Sequence, residues 1–221
     1  MQLRYASALL FLFGFSMLPS HAETVPAKLA TTQSFALALI DVETTGLDAD
    51  VHEMIDIGAV YVDVDGRELG RFFIRIKPAH PERAQAGAKA VNGYSEKRWR
   101  ALGAVSSSEA IRAFEEFHHQ TAADRTMIFT AFNVGFDQAF VSRWLSREGR
   151  SFRDWYFYQV LDLPSMAWAQ GLRELSGSEI AQALGIPAET RDPLRHTGET
   201  GADFNLSVYR ELMKRSSGSL R

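Results

Sequence analysis

Asp41 and Glu43 stand two residues apart at the end of the apolar run Phe35-Ala36-Leu37-Ala38-Leu39-Ile40, within Asp41-Val42-Glu43-Thr44-Thr45-Gly46. If the run is a strand, alternate side chains share a face, so both carboxylates project from one side of its end. Like charges that close repel, and one would take up a proton unless a cation sat between them. A hard divalent ion such as Mg²⁺ or Mn²⁺, which prefers oxygen ligands, removes the conflict. Three more groups could join them. Asp137 follows the apolar anchor Phe136 near a helix start, His196 lies in a Gly/Thr-rich loop, and Asp203 opens the last helical stretch. A helix N-terminus favours an ionised carboxylate, which suits Asp203 to hold a metal. Four carboxylates and a histidine fit the hydrolysis of a phosphodiester. Two metal ions about 3.5–4 Å apart clamp the attacking and leaving oxygens, and an imidazole of ordinary pKa, about 6.5, deprotonates the attacking water. Taken singly, each residue has a plainer explanation: a solvated strand end, a surface histidine or a helix cap.

The elements that must position these groups show in the apolar pattern. Six consecutive apolar residues followed by turn chemistry read as a buried strand ending at Asp41. Ile55–Val64, Asp65-Gly66 and Leu69–Lys77 read as a hairpin that Pro78 ends. Residues 78–104 read as a loop. A helix starts at Ser108-Glu109 with the stripe Ile111, Phe114 and Phe117, and Met127–Thr130 reads as a strand. Asn133–Gly149 carries Phe136, Phe140, Val141, Trp144 and Leu145 on one helical face. Tyr156–Leu161 reads as a strand with Asp162 at its end, Pro164–Gln170 and Glu174–Leu184 as helices, and residues 191–201 as a loop before a helix over Ala202–Lys214. A hairpin first and alternating strands and helices afterwards predict an α/β domain with a mixed sheet.

The 221 residues, 46% hydrophobic and 23% charged, describe one globular domain with an ample core behind an atypical start. Arg4 precedes an uncharged run over residues 6–18, and Pro19-Ser20-His21-Ala22 ends in small residues. Thirteen apolar residues fall short of the roughly 20 that span a bilayer. They fit a secretory signal peptide over residues 1–22, a linker over 23–33 and a catalytic domain over 34–215, with export to the periplasm or the medium and no stable membrane insertion after cleavage. An uncleaved anchor, or a start codon set too far upstream with a cytoplasmic protein, are the alternatives. Absence of cysteine excludes disulfides and thiol catalysis and suits an oxidising compartment. The formal net charge is −3, and loss of residues 1–22 removes one Arg and no acid. A chain this acidic does not grip duplex by charge alone, so nucleic-acid contact must be local or metal-mediated. Nine Lys or Arg against three acids over residues 67–100 make the one local basic stretch, read equally well as a solvated face.

Asp41-Val42-Glu43-Thr44-Thr45-Gly46 resembles the first motif of the DEDDh 3′→5′ exonucleases, which include the proofreading subunit of bacterial replicative polymerase and ribonuclease T. Ala131-Phe132-Asn133-Val134-Gly135-Phe136-Asp137 is similar to the second, and His196 through Asp203 to the third; Ile57-Gly58-Ala59-Val60 and Val91-Asn92-Gly93-Tyr94 resemble intervening segments. The resemblance implies a ribonuclease H-like fold, a five-stranded mixed β-sheet flanked by α-helices, and two Mg or Mn ions. It assigns Asp41, Glu43 and Asp203 as direct metal ligands, Asp137 as support for the second ion, and His196 as general base. Thr44, Thr45 and Gly46, with Asn133, would meet the 3′-terminal nucleotide, and Asp162 would be structural. In the family the last Asp follows the His by five residues, whereas Asp203 follows His196 by seven. That reads as a loop lengthened by two, with Glu199 as a substitute ligand.

The implied activity is release of nucleoside 5′-monophosphates from 3′ ends, with single-stranded DNA favoured as substrate and RNA possible. The alternatives are an exoribonuclease on short RNA, a phosphodiesterase for small nucleotides, and a non-catalytic nucleic-acid-binding protein on the same fold.

Overall fold

A computed structural model describes residues 34–218 of the chain. The expected signal peptide and the expected linker lie outside the described residues. Five strands form one sheet: β1 (Phe35–Thr44), β2 (Met54–Asp63), β3 (Glu68–Arg75), β4 (Thr126–Ala131) and β5 (Leu161–Asp162), in the order β3-β2-β1-β4-β5. The β1–β2 and β2–β3 pairs are antiparallel, and β1–β4 and β4–β5 are parallel. The helices are α1 (Ala86–Asn92), α2 (Glu96–Ala101), α3 (Ser107–Ala122), α4 (Val134–Arg147), α5 (Phe152–Trp155), α6 (Leu163–Ala169), α7 (Gly177–Leu184) and α8 (Gly198–Gly218). This is the five-stranded mixed sheet flanked by helices of the ribonuclease H-like exonuclease fold.

The central strand is apolar on both faces because helices cover both. Ala36, Ala38 and Ile40 pack with Ile57, Phe114, Phe129, Val141 and Trp144 in the layer of α3 and α4, whereas Leu37 and Leu39 pack with Val60, Leu163, Ile180, Leu206 and Leu212 in the layer of α6, α7 and α8. By the two-residue alternation, Asp41 and Glu43 continue the row of Leu37 and Leu39 and face α8. Their shared side follows from the strand.

The stretch 78–104, expected as a loop, contains α1 and α2. Both are short enough to lack an apolar stripe, and each is set by its ends: Gly93 closes α1 in the left-handed region at φ 62°, and the Ser95 side chain accepts from Arg98 N–H at the start of α2. The strand expected over Tyr156–Leu161 shrinks to Leu161–Asp162, preceded by α5. Trp155 and Tyr156 are instead held in the core against α3. Of the four tryptophans, Trp99, Trp144 and Trp155 are buried; Trp168 is exposed beside Arg173.

One buried polar group carries a pH signature. His118 of α3 lies with Nδ1 2.8 Å from the Tyr61 hydroxyl, which is itself 3.0 Å from the Tyr156 hydroxyl. Burial, then the neighbouring His119, pushes the His118 pKa down to about 4. Between pH 6.5 and 4 the unfolded chain therefore binds a proton at this position that the folded chain does not. Stability is full above the unfolded value and falls with pH through that window, by about 3 kcal/mol at most. Urea midpoints measured at pH 7 and pH 4.5 should show this acid loss in the wild type and a smaller one in His118→Phe.

Candidate active site

The site gathers at the α8-facing end of β1. Glu43 is buried, and its Oε1 lies 3.0 Å from His196 Nε2. Its Oε2 accepts from Asn92 Nδ2 at 3.2 Å, and the same amide donates to the Thr44 carbonyl at 3.0 Å. Asp137, one turn into α4 and buried, accepts the Val42 N–H at 3.1 Å, which locks it between Asp41 and Glu43 on the strand. Asp41 faces a cleft of about 340 Å³ that it lines with Phe132, Glu189, His196 and Asn205. Pockets of this order hold small ligands.

The electrostatics are those of an acid cluster in which carboxylates outnumber the one histidine that pairs with them. Burial first, then the charges of Asp137, Glu189, Glu43 and Asp56, hold the Asp41 carboxyl well above the usual range. Asp137 is raised as well, by burial and by Glu43 and Glu189 against the Val42 N–H. Asp56 of β2 is fully buried behind Glu43; burial and Glu43 push it up to about 7 although its Oδ1 accepts the Gly198 N–H at 2.9 Å. His196 moves the other way. Its bond to Glu43, with further help from Glu189 and the Thr190 carbonyl 2.8 Å from Nδ1, raises it to about 9 against burial.

Second-tier contacts hold the histidine in place. Arg98 Nη1 donates to the Asn92 and Gly93 carbonyls at 2.9 and 3.0 Å, and Nη2 to the Leu194 carbonyl at 2.8 Å. One guanidinium thus ties the α1–α2 connection, which buttresses Glu43, to the chain two residues before His196. At the start of α8, a Cβ on Gly58 would lie 2.0 Å from the Gly198 carbonyl oxygen, so both glycines are needed for β2 and the helix to approach.

Asp203 does not join the cluster. Its side chain is about half exposed and 3.1 Å from Arg71 Nη1 of β3. The loop expected over 191–201 ends early, because α8 begins at Gly198 with its first N–H bound by the distant Asp56 carboxylate. A helix turns about 100° per residue. The residue five after His196 is Gly201, and Asp203 is rotated by about 200° from it, toward β3. No lengthened loop exists: Gly201, five residues after His196, packs on Asp41, where a Cβ would lie 2.2 Å from Asp41 Cγ. Glu199, the expected substitute, is exposed and lines a hollow with Arg71 and Phe72. Accordingly Asp203→Asn should change neither turnover nor, by more than about 0.5 kcal/mol, stability, since it breaks only an exposed ion pair; oligonucleotide turnover and a urea melt check this.

The remaining expected residues are placed as follows. Thr44 and Thr45 are buried; the Thr44 hydroxyl donates to the Gly46 carbonyl at 2.6 Å, and Thr45 Oγ1 accepts the Glu53 N–H at 3.0 Å. Each hydroxyl makes one bond to the protein, Thr44 as donor and Thr45 as acceptor. Gly46 packs on the His52 ring, with room for no side chain. Asn133 precedes α4 at φ 64°, exposed and making no cap bond. Asp162 is structural: it accepts the Val134 N–H and the Ser165 N–H, joining the starts of α4 and α6. Three of the nine basic residues of the stretch are committed to the protein itself, Arg67 to Asp63, Arg71 to Glu68 and Asp203, and Arg98 to carbonyls.

Residues 38–198 match the RNase T family model, described as exonuclease, which covers well over half of the chain. The chain belongs to that exonuclease family. The match to the family ends at Gly198, just before Gly201. Among curated proteins none matches significantly. Among solved structures, the chain is similar to E. coli exonuclease I in complex with a dT13 oligonucleotide, at TM-score 0.69 and 16% identity over 85% of this chain and 43% of that one. It is likewise similar to a zinc-ion-bound form of the E. coli exonuclease I–single-stranded DNA complex, at TM-score 0.67 and 16% identity over 84% of this chain and 42% of that one. The chain spans less than half the length of these structures, and identity this low speaks for the fold.

Among the described residues, no three of the acids and histidines stand in ready metal-coordinating geometry. The donor set nevertheless suits a hard divalent ion. Apart from His196 it is all oxygen and anionic. It also leaves Asp56 Oδ2 and Glu189 Oε1 buried without a hydrogen-bond partner, which is costly unless positive charge arrives. Asn92, Arg98, Asp56 and Glu189 were not singled out in the sequence. Only Asn92 lay in a recognisable segment; the others act across long sequence separations that spacing does not reveal.

Proposed function

We propose that the protein is a metal-dependent 3′→5′ exonuclease that removes nucleoside 5′-monophosphates from single-stranded DNA. The observation that carries this reading is the cluster of Asp41, Glu43, Asp137 and His196 beside the cleft that Asp41 and His196 line, with Glu43 and His196 in direct contact and Asp137 held by the Val42 N–H. Asp41, Glu43 and Asp137 would hold the divalent ions, Mg²⁺ or Mn²⁺, which when bound supply Lewis-acid stabilisation of the phosphate oxygens. With the charge of Glu43 engaged by the ions instead of by His196, the ring would be free at Nε2, the nitrogen that now faces Glu43, to accept the proton of the attacking water, while the Thr190 carbonyl fixes the ring through Nδ1. Phe132, lining the cleft, offers a face for the terminal base. Single-stranded DNA is preferred to RNA because the similar exonuclease I structures hold deoxy-oligonucleotides.

A second reading, a nucleic-acid-binding protein without turnover, is favoured by one observation: Gly201 stands where the third motif carries an acid. The two separate in one assay. A 5′-labelled single-stranded DNA 30-mer, beside RNA of the same sequence, is incubated with the purified protein in Mn²⁺ or in EDTA. Shortening in Mn²⁺ that EDTA stops supports the exonuclease, and faster loss of DNA than RNA supports the substrate assignment. Retention of intact strands in both conditions supports the binder.

A further inference from the structure

Gly201 leaves the α8 position of the cluster without a carboxylate, yet the same cleft holds an acid that none of the three motifs accounts for. Glu189 lies in the connection between α7 and α8 and lines the cleft with Asp41, His196 and Asn205. Its Oε1 is buried and lacks a hydrogen-bond partner. The nearest cationic atom is His196 Nδ1 at 3.5 Å, but that nitrogen already has the Thr190 carbonyl at 2.8 Å. Asn205 supplies an independent sign. It follows Gly201 by four residues, so both occupy one face of α8. The side chain is fully buried, its Nδ2 donates to the Ile40 carbonyl at 2.9 Å, and its Oδ1 has no partner. The Ile40 carbonyl needs a donor, which fixes the amide orientation and leaves the oxygen free.

Two orphaned oxygens beside Asp41 would each cost free energy unless a positive group meets them. A carboxylate and a neutral amide oxygen are both ligands of hard divalent ions. The other nearby acids are placed less well. Asp56 keeps one orphaned oxygen, Oδ2, while Oδ1 receives the Gly198 N–H, but it lies behind Glu43 and is not among the residues that line the cleft; Glu199 and Asp203 face β3.

We propose that Glu189 takes the place of the missing last-helix Asp as a ligand of the divalent ion, with Asn205 Oδ1 as a neutral companion. The assignment rests on the metal-dependent reading above and moves one ligand from α8 to the segment that also carries His196. Ligand and general base are then set by the same stretch of chain, which Arg98 anchors at Leu194.

Mn²⁺ titration of the full-length protein, followed by the EPR signal of the free ion, tests this without reference to turnover. Glu189→Gln, nearly isosteric in a loop, should keep the wild-type circular dichroism spectrum and lose at least about tenfold in Mn²⁺ affinity. Glu189→Asp, which keeps the charge on a shorter arm, should fall between the two. Asp203→Asn and Glu199→Gln should bind as the wild type does. Wild-type affinity in Glu189→Gln, or a comparable loss in Asp203→Asn, would overturn the assignment and leave the metal-dependent exonuclease standing. A wild-type protein that binds no Mn²⁺ would remove both.

Discussion

Asp41→Asn is expected to lower turnover steeply and, in EDTA, to raise the melting temperature. The two effects share a cause. Asp41 is surrounded by Asp137, Glu189, Glu43 and Asp56 in a desolvated site, so its carboxyl is held far above its unfolded value. For an acid shifted upward, the folded state binds the proton that the unfolded state has lost, and stability falls as pH rises from the unfolded pKa towards the folded one. At pH 7 the native cluster therefore carries a penalty that a neutral isostere removes. The same carboxylate is the charge that a divalent ion needs. Its loss should lower turnover about 10³-fold, the rate equivalent of about 4 kcal/mol. Calorimetric melts in EDTA and in Mn²⁺ check the first half: Mn²⁺ should raise the wild-type melting temperature and do little for Asp41→Asn. A variant less stable than wild type in EDTA would contradict this account of the cluster.

The second large effect is at His196. His196→Ala should lower turnover roughly 10²–10⁴-fold, the range for loss of a general base. A pH argument separates that role from a structural one. With a pKa of about 9, caused first by the bond to Glu43, His196 is protonated at pH 7 in the metal-free protein and cannot accept a proton. The raised value adds stability that is complete below the unfolded pKa and lost as pH rises through about 9. Removing the charge of Glu43 removes the main cause, so in Glu43→Gln the His196 ring should titrate nearer its ordinary value of about 6.5. Proton NMR of the His196 ring reads this directly. An unchanged midpoint in Glu43→Gln would show that the Glu43 contact does not set the state of the base.

The parts of the site that sequence reveals are those set by local rules. Asp41 and Glu43 share a side because strand geometry puts them there, and Asp137 is placed by the helix that starts after Asn133. Sheet composition and the core rows of β1 and β2 follow from the apolar pattern in the same way. What fails locally is what tertiary contact decides. Gly198 and Gly201 each disfavour a helix by about 1 kcal/mol relative to Ala, so residues 198–201 look like loop. The Asp56 carboxylate, 142 positions away in sequence, binds the first N–H of α8 and lets the helix begin there. That early start rotates Asp203 out of the cluster and puts Gly201 in. Glu189 is hidden for a related reason: its role comes from how its loop folds over the cleft, and no spacing rule links residue 189 to Asp41. In α1 and α2 the decisive features are caps, which a search for apolar stripes passes over.

Product analysis tests the central claim most directly. A single-stranded DNA 30-mer bearing a distinct nucleotide at each end is incubated with the protein and Mn²⁺, and the released mononucleotides are resolved by chromatography against time. Asp41→Asn, purified in parallel, guards against a contaminating nuclease. The site described here predicts that the 3′-terminal nucleotide appears first, as its 5′-monophosphate, and that neither EDTA nor Asp41→Asn permits its release. Release from the 5′ end first, or intact strand recovered from the wild type after prolonged incubation with Mn²⁺, would contradict it.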